Sequence, residues 1–99
     1  MLHECVHKDP KEIRGLREKG DEKTLLLFTV QVLGGHSVDG QCGPDTRKTM
    51  KDFRWADETE RQAALTVCPG KPSAPPPHVL RKMQAEVCER VRGDAGSRQ

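Results

Sequence analysis

The chain has few aromatic and apolar residues. Its 99 residues include no Tyr, two Phe and one Trp. Hydrophobic residues make up 33% and charged residues 32%, against about 45–50% and 25% in an average soluble domain. This composition provides enough apolar residues for one thin hydrophobic core of Leu, Val, Met and Ala. It excludes a large enclosed pocket for a bulky cofactor and argues against aromatic platforms for single-stranded nucleic acid. We therefore expect a non-enzymatic protein without a cofactor.

A strong excess of one charge and a long apolar run are also absent. Seventeen Lys and Arg against fifteen Asp and Glu leave a net charge of +2, without the dense basic stripe of a protein that binds a phosphate backbone. The longest apolar run, residues 25–33, is about half the length that crosses a bilayer. It follows an acidic segment, unlike a secretory signal. We expect a chain that is cytoplasmic as synthesised, has no membrane partner, and reaches a cell wall only after lysis or by non-classical export.

Capping and turn residues divide the first two thirds of the chain into helices. Asp9 and Pro10 predict the start of an N-terminal helix within residues 1–20. Residues 25–33 fit a strand or a helix by periodicity alone, and the flanking cap Asp21 and the two glycines after the run favour a buried helix. Asp57 has Glu60 three residues later, the spacing of a capping box. It predicts a further helix, with Leu65 among its packed residues.

The last third consists of a connector and a helix. Residues 69–77 are rich in Pro and predict an extended connector. The helix that follows spans 78–93, and residues 94–99 are expected to be a loose tail. Four apolar residues form one stripe on this helix; they are Leu80, Met83, Val87 and Val91. If the chain does not cover this stripe itself, it would bind a partner helix, including that of a second copy in a homodimer.

The four cysteines do not form a Cys-x-x-Cys pair, so no structural zinc site is predicted. Three disulfide pairings are open, but a cytosolic location favours free thiols. Cys42 and Cys88 would then be small half-buried apolar residues. His3, Cys5 and His7 alternate and are weak candidates for a zinc or nickel site that a distant ligand completes.

The segment around residues 38–54 carries the most specific pattern. Asp39-Gly40-x-x-Gly43-Pro44-x-Thr46 is followed by an apolar pair that ends in Phe53. This pattern resembles the peptidoglycan-binding-like domain family, a small three-helix module often attached to bacterial and phage cell-wall hydrolases. The resemblance covers residues 24–67. It implies a three-helix core at 21–68. Together with the helices predicted at the two ends of the chain, this gives a single all-α helical bundle.

Physical roles for these motif residues follow from their chemistry. Gly40 allows the positive φ of a tight turn after Asp39. Gly43 would let the backbone pass close to the first helix, and Pro44 presets φ for helix entry. Thr46 is expected to bond a free backbone amide in the first turn. These are structural roles that the fold would need with or without a ligand.

The resemblance implies a binding module for cell-wall peptidoglycan, as a phage or bacterial accessory protein. Arg54 and Trp55 offer a donor fork beside an apolar plate, and Arg47 and His36 are further candidates for ligand binding. Trp55 also fits a place at the edge of the core. Two other functions stay open: a cytosolic adaptor or inhibitor that binds a protein, and a small metal-binding protein. No catalytic residue is predicted, because no independent scaffold orients a base against a nucleophile.

Overall fold

A computed structural model describes residues 10–19, 21–68 and 75–97 of the chain. It contains five helices in these residues: α1 (Pro10–Glu18), α2 (Glu22–Gly34), α3 (Pro44–Asp52), α4 (Glu58–Val67) and α5 (Pro77–Ser97). These described segments contain no strand, which confirms the predicted all-α class. The proposed cap at Asp9, the metal candidates His3, Cys5 and His7, and residues 69–74 of the connector lie outside them. None of the helices described is both long and apolar enough to span a membrane.

Helix α2 is the central element of the fold. The Asp21 carboxylate caps it by accepting a hydrogen bond from the Thr24 N–H at 3.1 Å, and Gly35 ends it in the left-handed conformation at φ 71°. Every residue from 25 to 31 is buried. A helix that is covered on all sides has no polar face to impose a helical period. This explains why periodicity left residues 25–33 ambiguous while the caps identified the helix.

The apolar stripe of α5 packs inside the molecule. Leu80, Met83 and Val87 are at most 4% exposed and belong to the same core as α2, and the half-buried Val91 packs against that core. The contact between α2 and α5 is the most extensive in the fold. The stripe predicted to bind a partner is therefore covered by the chain itself. This corrects the predicted partner surface.

Polar contacts fix how α5 lies on α2. Gln84, 1% exposed, donates through Nε2 to Thr29 Oγ1 at 3.2 Å, and the Thr29 hydroxyl donates to the Leu25 carbonyl oxygen at 2.9 Å. One turn earlier on α5, Arg81 Nε donates to Glu22 Oε1 at 3.1 Å. Because a buried polar group is costly unless it is hydrogen-bonded, these pairs favour one register of the two helices.

Helix α4 differs from its predicted form at two residues. Asp57 caps the helix by accepting from the Glu60 N–H at 2.9 Å. The Glu60 carboxylate does not complete a capping box, since it lies toward Lys82 of α5 at 3.2 Å. Leu65, expected in the core, is 37% exposed, because the buried face of this helix consists of Glu60, Ala63, Ala64 and Val67.

Helix α5 is longer than expected at both ends. It begins at Pro77, which the sequence predicts as the last residue of the connector, and continues past Gly93 to Ser97. Proline lacks an N–H that the first helical position leaves unpaired anyway, so it suits a helix start. Gly93 does not end the helix, because it does not adopt a positive φ; among the described glycines only Gly35 and Gly40 do.

A disulfide joins Cys42, in the loop before α3, to Cys68 at the end of α4. Their Cα atoms are 5.6 Å apart, within the range that the bond requires. Cys88 is also disulfide-bonded. These bonds correct the expectation of free thiols. The two cysteines are 26 residues apart in sequence, so only the packing of α3 and α4 shows that they meet.

Candidate ligand-binding site

The motif loop between α2 and α3 is held by one buried amide. Gln31 of α2 is 1% exposed, and its Oε1 accepts from the N–H groups of Asp39 and Gly40 at 3.1 and 3.0 Å. Its Nε2 lies within hydrogen-bond distance of Asp39 Oδ1, the Gln41 carbonyl oxygen and Thr46 Oγ1, at 2.8, 3.0 and 3.1 Å. Two N–H groups thus serve three acceptors. The side chain replaces the backbone pairing that an irregular loop lacks.

The motif glycines have different roles. Gly40 has φ 73°, as the sequence predicts, and a Cβ there would lie 2.9 Å from Phe28 Cε1. Gly43 is the extended N-cap of α3 with φ −81°, and nothing lies within 4 Å of a Cβ at that position. The predicted close passage at Gly43 is therefore wrong; the backbone approaches α2 at Gly40.

Thr46 contacts a side chain instead of a backbone amide. Its hydroxyl accepts from Gln31 Nε2, and α3 has no side-chain cap hydrogen bond. Its predicted capping role is therefore wrong. Thr46 instead fixes the start of α3 to α2.

The first depression, which we call the motif groove, lies between this loop and the start of α3. Its volume is about 360 Å³. His36 Nε2 lies 2.8 Å from Thr49 Oγ1 at one side of it. A Cβ on Gly34 would clash with the His36 ring and lie 2.9 Å from that hydroxyl, so a glycine is needed for this contact. The groove is lined by Gln31, Gly35, His36, Ser37, Asp39, Gln41, Gly43, Pro44, Asp45 and Thr46.

The second depression, which we call the cationic cleft, has a volume of about 580 Å³. Three of its lining residues are cations and one is a carboxylate. Thr49, the partner of His36, also lines it. The two depressions therefore adjoin at the contact between Thr49 and His36. The lining residues are Leu33, Lys48, Thr49, Asp52, Phe53, Arg54 and Arg90.

Three helices build the cationic cleft. Helix α2 contributes Leu33, α3 and the residues just after it contribute most of the lining, and α5 contributes Arg90. Leu33 and Phe53 pack on the main core, so the cations surround an apolar floor. Arg90 lies outside the segment that resembles the peptidoglycan-binding-like family. The C-terminal helix thus adds one cation to a cleft that is otherwise lined by residues of the resembling segment.

The structure separates the four residues predicted to bind a ligand. Arg54 lines the cationic cleft and His36 lines the motif groove. Arg47 is exposed on α3 and lines neither depression. Trp55 is half-buried at the core edge, where its Nε1 donates to the Met50 carbonyl oxygen at 3.0 Å. Its ring centroid is 4.4 Å from that of Phe53. Because the indole N–H donates to Met50, it is already used within the chain.

Sequence reasoning missed Lys48 and Arg90, which complete the cationic cleft with Arg54. Lys48 lies four residues before Asp52 on α3, and both line the cleft. Opposite charges at this spacing are typical of any solvated helix face, so the pair gave no specific signal. Arg90 has no local signal either, because its contribution depends on how α5 crosses α2.

The search for metal sites and the comparisons with known proteins add no further candidate site. In the described ranges, no group of three or more His, Cys, Asp or Glu residues is arranged to hold a metal ion. Comparison of the chain with protein-family models, with curated proteins and with solved structures finds no match. The resemblance to the peptidoglycan-binding-like family therefore stays a prediction that depends on residues 24–67, and the geometry of the two depressions carries the functional argument.

Proposed function

We propose that this chain is a non-catalytic binding module for a carboxylate-bearing polymer, namely bacterial cell-wall peptidoglycan, as a phage or bacterial accessory protein. The observation that carries the proposal is the cationic cleft, whose lining includes three cations, Lys48, Arg54 and Arg90, and one carboxylate, Asp52. The stem peptides of peptidoglycan carry free carboxylates, and their sugars present hydroxyl groups and apolar ring faces. A cationic cleft with an apolar floor suits both.

The side chains of the cleft support this assignment. Arg54 provides a planar fork that can bind a carboxylate through two parallel hydrogen bonds, while Lys48 acts as a point charge. Both residues are exposed, so neither must leave a buried position to meet a ligand. Thr49 adds a hydroxyl group to the lining of the cleft.

The motif groove supports an extended ligand. It adjoins the cationic cleft at Thr49 and contains His36, Ser37 and the exposed side chain of Gln41. A polymer with alternating polar and charged groups could occupy both depressions at once. A small anion would use the cleft alone.

Binding to purified sacculi tests the proposal. The full chain, kept oxidised, should sediment with sacculi at low salt and be released as salt screens the charges. The double variant Lys48→Ala/Arg54→Ala should lose most of this binding. Lys51→Ala/Arg61→Ala is the matched control, because it removes two exposed cations that do not line the cleft and should bind like the original chain.

The same experiment separates cell-wall binding from the alternative, an acidic segment of a protein partner in the same cleft. If the chain stays in the supernatant, cell-wall recognition is wrong. If both double variants lose binding equally, net charge is responsible and the cleft is not the site. The adaptor alternative in the cytosol is less consistent with the Cys42–Cys68 disulfide, since reducing compartments keep most thiols free.

A further inference from the structure

The junction of α4 and α5 buries carboxylate oxygens that lack a hydrogen-bond donor. Glu60 is 1% exposed. Its Oε1 and Oε2, and Oε2 of Glu86, are buried and accept no hydrogen bond within the described part of the chain. The nearest cation is the Lys82 ammonium, which lies 3.2 Å from Glu60 Oε2 and 3.6 Å from Asp57 Oδ2. A buried carboxylate is costly unless it is paired and its oxygens are hydrogen-bonded, and among the described residues Lys82 alone is seen to pair with Glu60.

The charges at this junction do not balance. Asp57, Glu60 and Glu86 provide three carboxyl groups, and Lys82 provides one ammonium group. The Asp57 and Lys82 side chains are 50% and 59% exposed, so solvent screens them, whereas the Glu60 side chain is 2% exposed. The described residues hold no arrangement that suits a metal ion. A proton bound to one of the two glutamates would remove one negative charge and supply the hydrogen-bond donor that these oxygens lack.

The electrostatics agree with this geometry. Burial, followed by the pairing with Glu60 and the Glu60 charge, raises the pKa of Glu86 from 4.5 to about 7. The Ala56 N–H and the Lys82 charge act in the opposite direction but are weaker. Direct pairing with Glu60, and then the Glu60 and Asp57 charges, raise the pKa of Lys82. Lys82 therefore stays charged throughout the range in which Glu86 titrates.

Lys82 is the cation that the structure shows beside these carboxyl groups. Glu60 of α4 lies next to Glu86. Lys82 of α5 pairs with Asp57, the N-cap of α4. The segment between α3 and α4 contributes only the Ala56 backbone N–H. The charged contact between α2 and α5 is Glu22 with Arg81, a separate pair.

We infer that Glu60 and Glu86 form a buried proton-binding site that ties α4 to α5. When the site is occupied, the protonated carboxyl group of one residue donates its O–H to the carboxylate of the other, and Lys82 compensates the single negative charge. When the proton leaves to solvent, two like charges face each other and the junction is weakened. This inference is independent of the proposed ligand and of the cationic cleft.

The direction of the pH effect follows from proton linkage. The unfolded chain releases the Glu86 proton near pH 4.5, and the folded chain holds it until about pH 7, the pKa of Glu86 in the fold. Between these values the native state binds more protons than the unfolded state, so the free energy of unfolding falls as pH rises through this window. A variant that removes the Glu86 carboxyl group isolates its contribution to this pH dependence.

Two measurements on the full oxidised chain test the site. Carboxyl ¹³C NMR should show one Glu side chain with a midpoint near pH 7, and Glu86→Gln should remove that resonance. Urea unfolding from pH 5 to pH 8 should show a lower midpoint at high pH for the original chain, and a flatter profile for Glu86→Gln. Glu89→Gln, at an exposed residue on the same helix, should keep the original profile.

The outcomes are decisive in both directions. A Glu86 midpoint near 4.5 overturns the proton site, as does a Glu86→Gln profile with the same slope as that of the original chain. If Glu86→Gln fails to fold, the NMR titration of the original chain still decides. A midpoint that moves to lower pH on addition of millimolar Ca²⁺ or Zn²⁺ would show that a metal ion replaces the proton, and would also overturn the inference.

Discussion

Gln31 and Asp39 bind each other twice: Gln31 Nε2 donates to Asp39 Oδ1 at 2.8 Å, and the Asp39 N–H donates to Gln31 Oε1 at 3.1 Å. The Asp39 carboxylate also accepts from the Gln41 N–H at 2.9 Å. One side chain of α2 therefore determines the shape of the loop that precedes α3. The motif groove depends on this pair.

Replacing Gln31 by Leu should lower the free energy of unfolding by about 3 kcal/mol, because it leaves the loop amides and Thr46 without partners at similar side-chain volume. Urea unfolding at constant pH measures the change. Gln41→Ala is the control, because Gln41 contributes only backbone groups to this network. Equal stability of the two variants would contradict the structural role of Gln31.

Gly40→Ala should destabilise the fold by at least about 1–2 kcal/mol. An L-residue at φ 73° is strained, and the added methyl group would press on Phe28. Gly15→Ala in α1 is the contrasting variant, since nothing lies within 4 Å of its Cβ and alanine favours a helix. Thermal unfolding should shift down for the first variant and stay level or rise for the second.

Removing the Cys42–Cys68 disulfide should cost about 3–4 kcal/mol, given a closed loop of 26 residues and the entropy of loop closure. The variant Cys42→Ala/Cys68→Ala avoids reduction of the bond at Cys88. Urea unfolding measures the loss, and mass spectrometry of unreduced peptides should find residues 42 and 68 in one cross-linked species. Rapid alkylation of both thiols in the native, unreduced chain would contradict the bond.

Met83→Ala should cost about 2–5 kcal/mol, as expected for a fully buried methionine. Leu65→Ala, at the exposed position of α4, should cost well under half as much. Because the α5 stripe is covered within the chain, light scattering should give a constant monomer mass over a wide range of concentrations. A mass that doubles with concentration would restore the dimer predicted from the sequence.

Local signals in the sequence predicted the features that depend only on residues close together along the chain. Asp21, Gly35 and Asp57 mark helix ends because caps act over three or four residues. Gly40 marks a positive φ because the shape of a turn also depends on residues close together along the chain. Arg54, which the sequence predicts to bind a ligand, lines the cationic cleft, whereas Trp55, the apolar plate predicted beside it, packs on the core.

The sequence by itself determined the helical class, most helix boundaries and the thin Leu-rich core, since capping and burial tendencies act over a few residues. Only the tertiary structure decided that α5 covers α2, that Cys42 meets Cys68, and that Arg90 joins Lys48 around one cleft. It also turned Glu60 from a capping residue into a buried partner of Glu86. These relationships join residues that are distant along the chain, and their energies depend on how the helices cross.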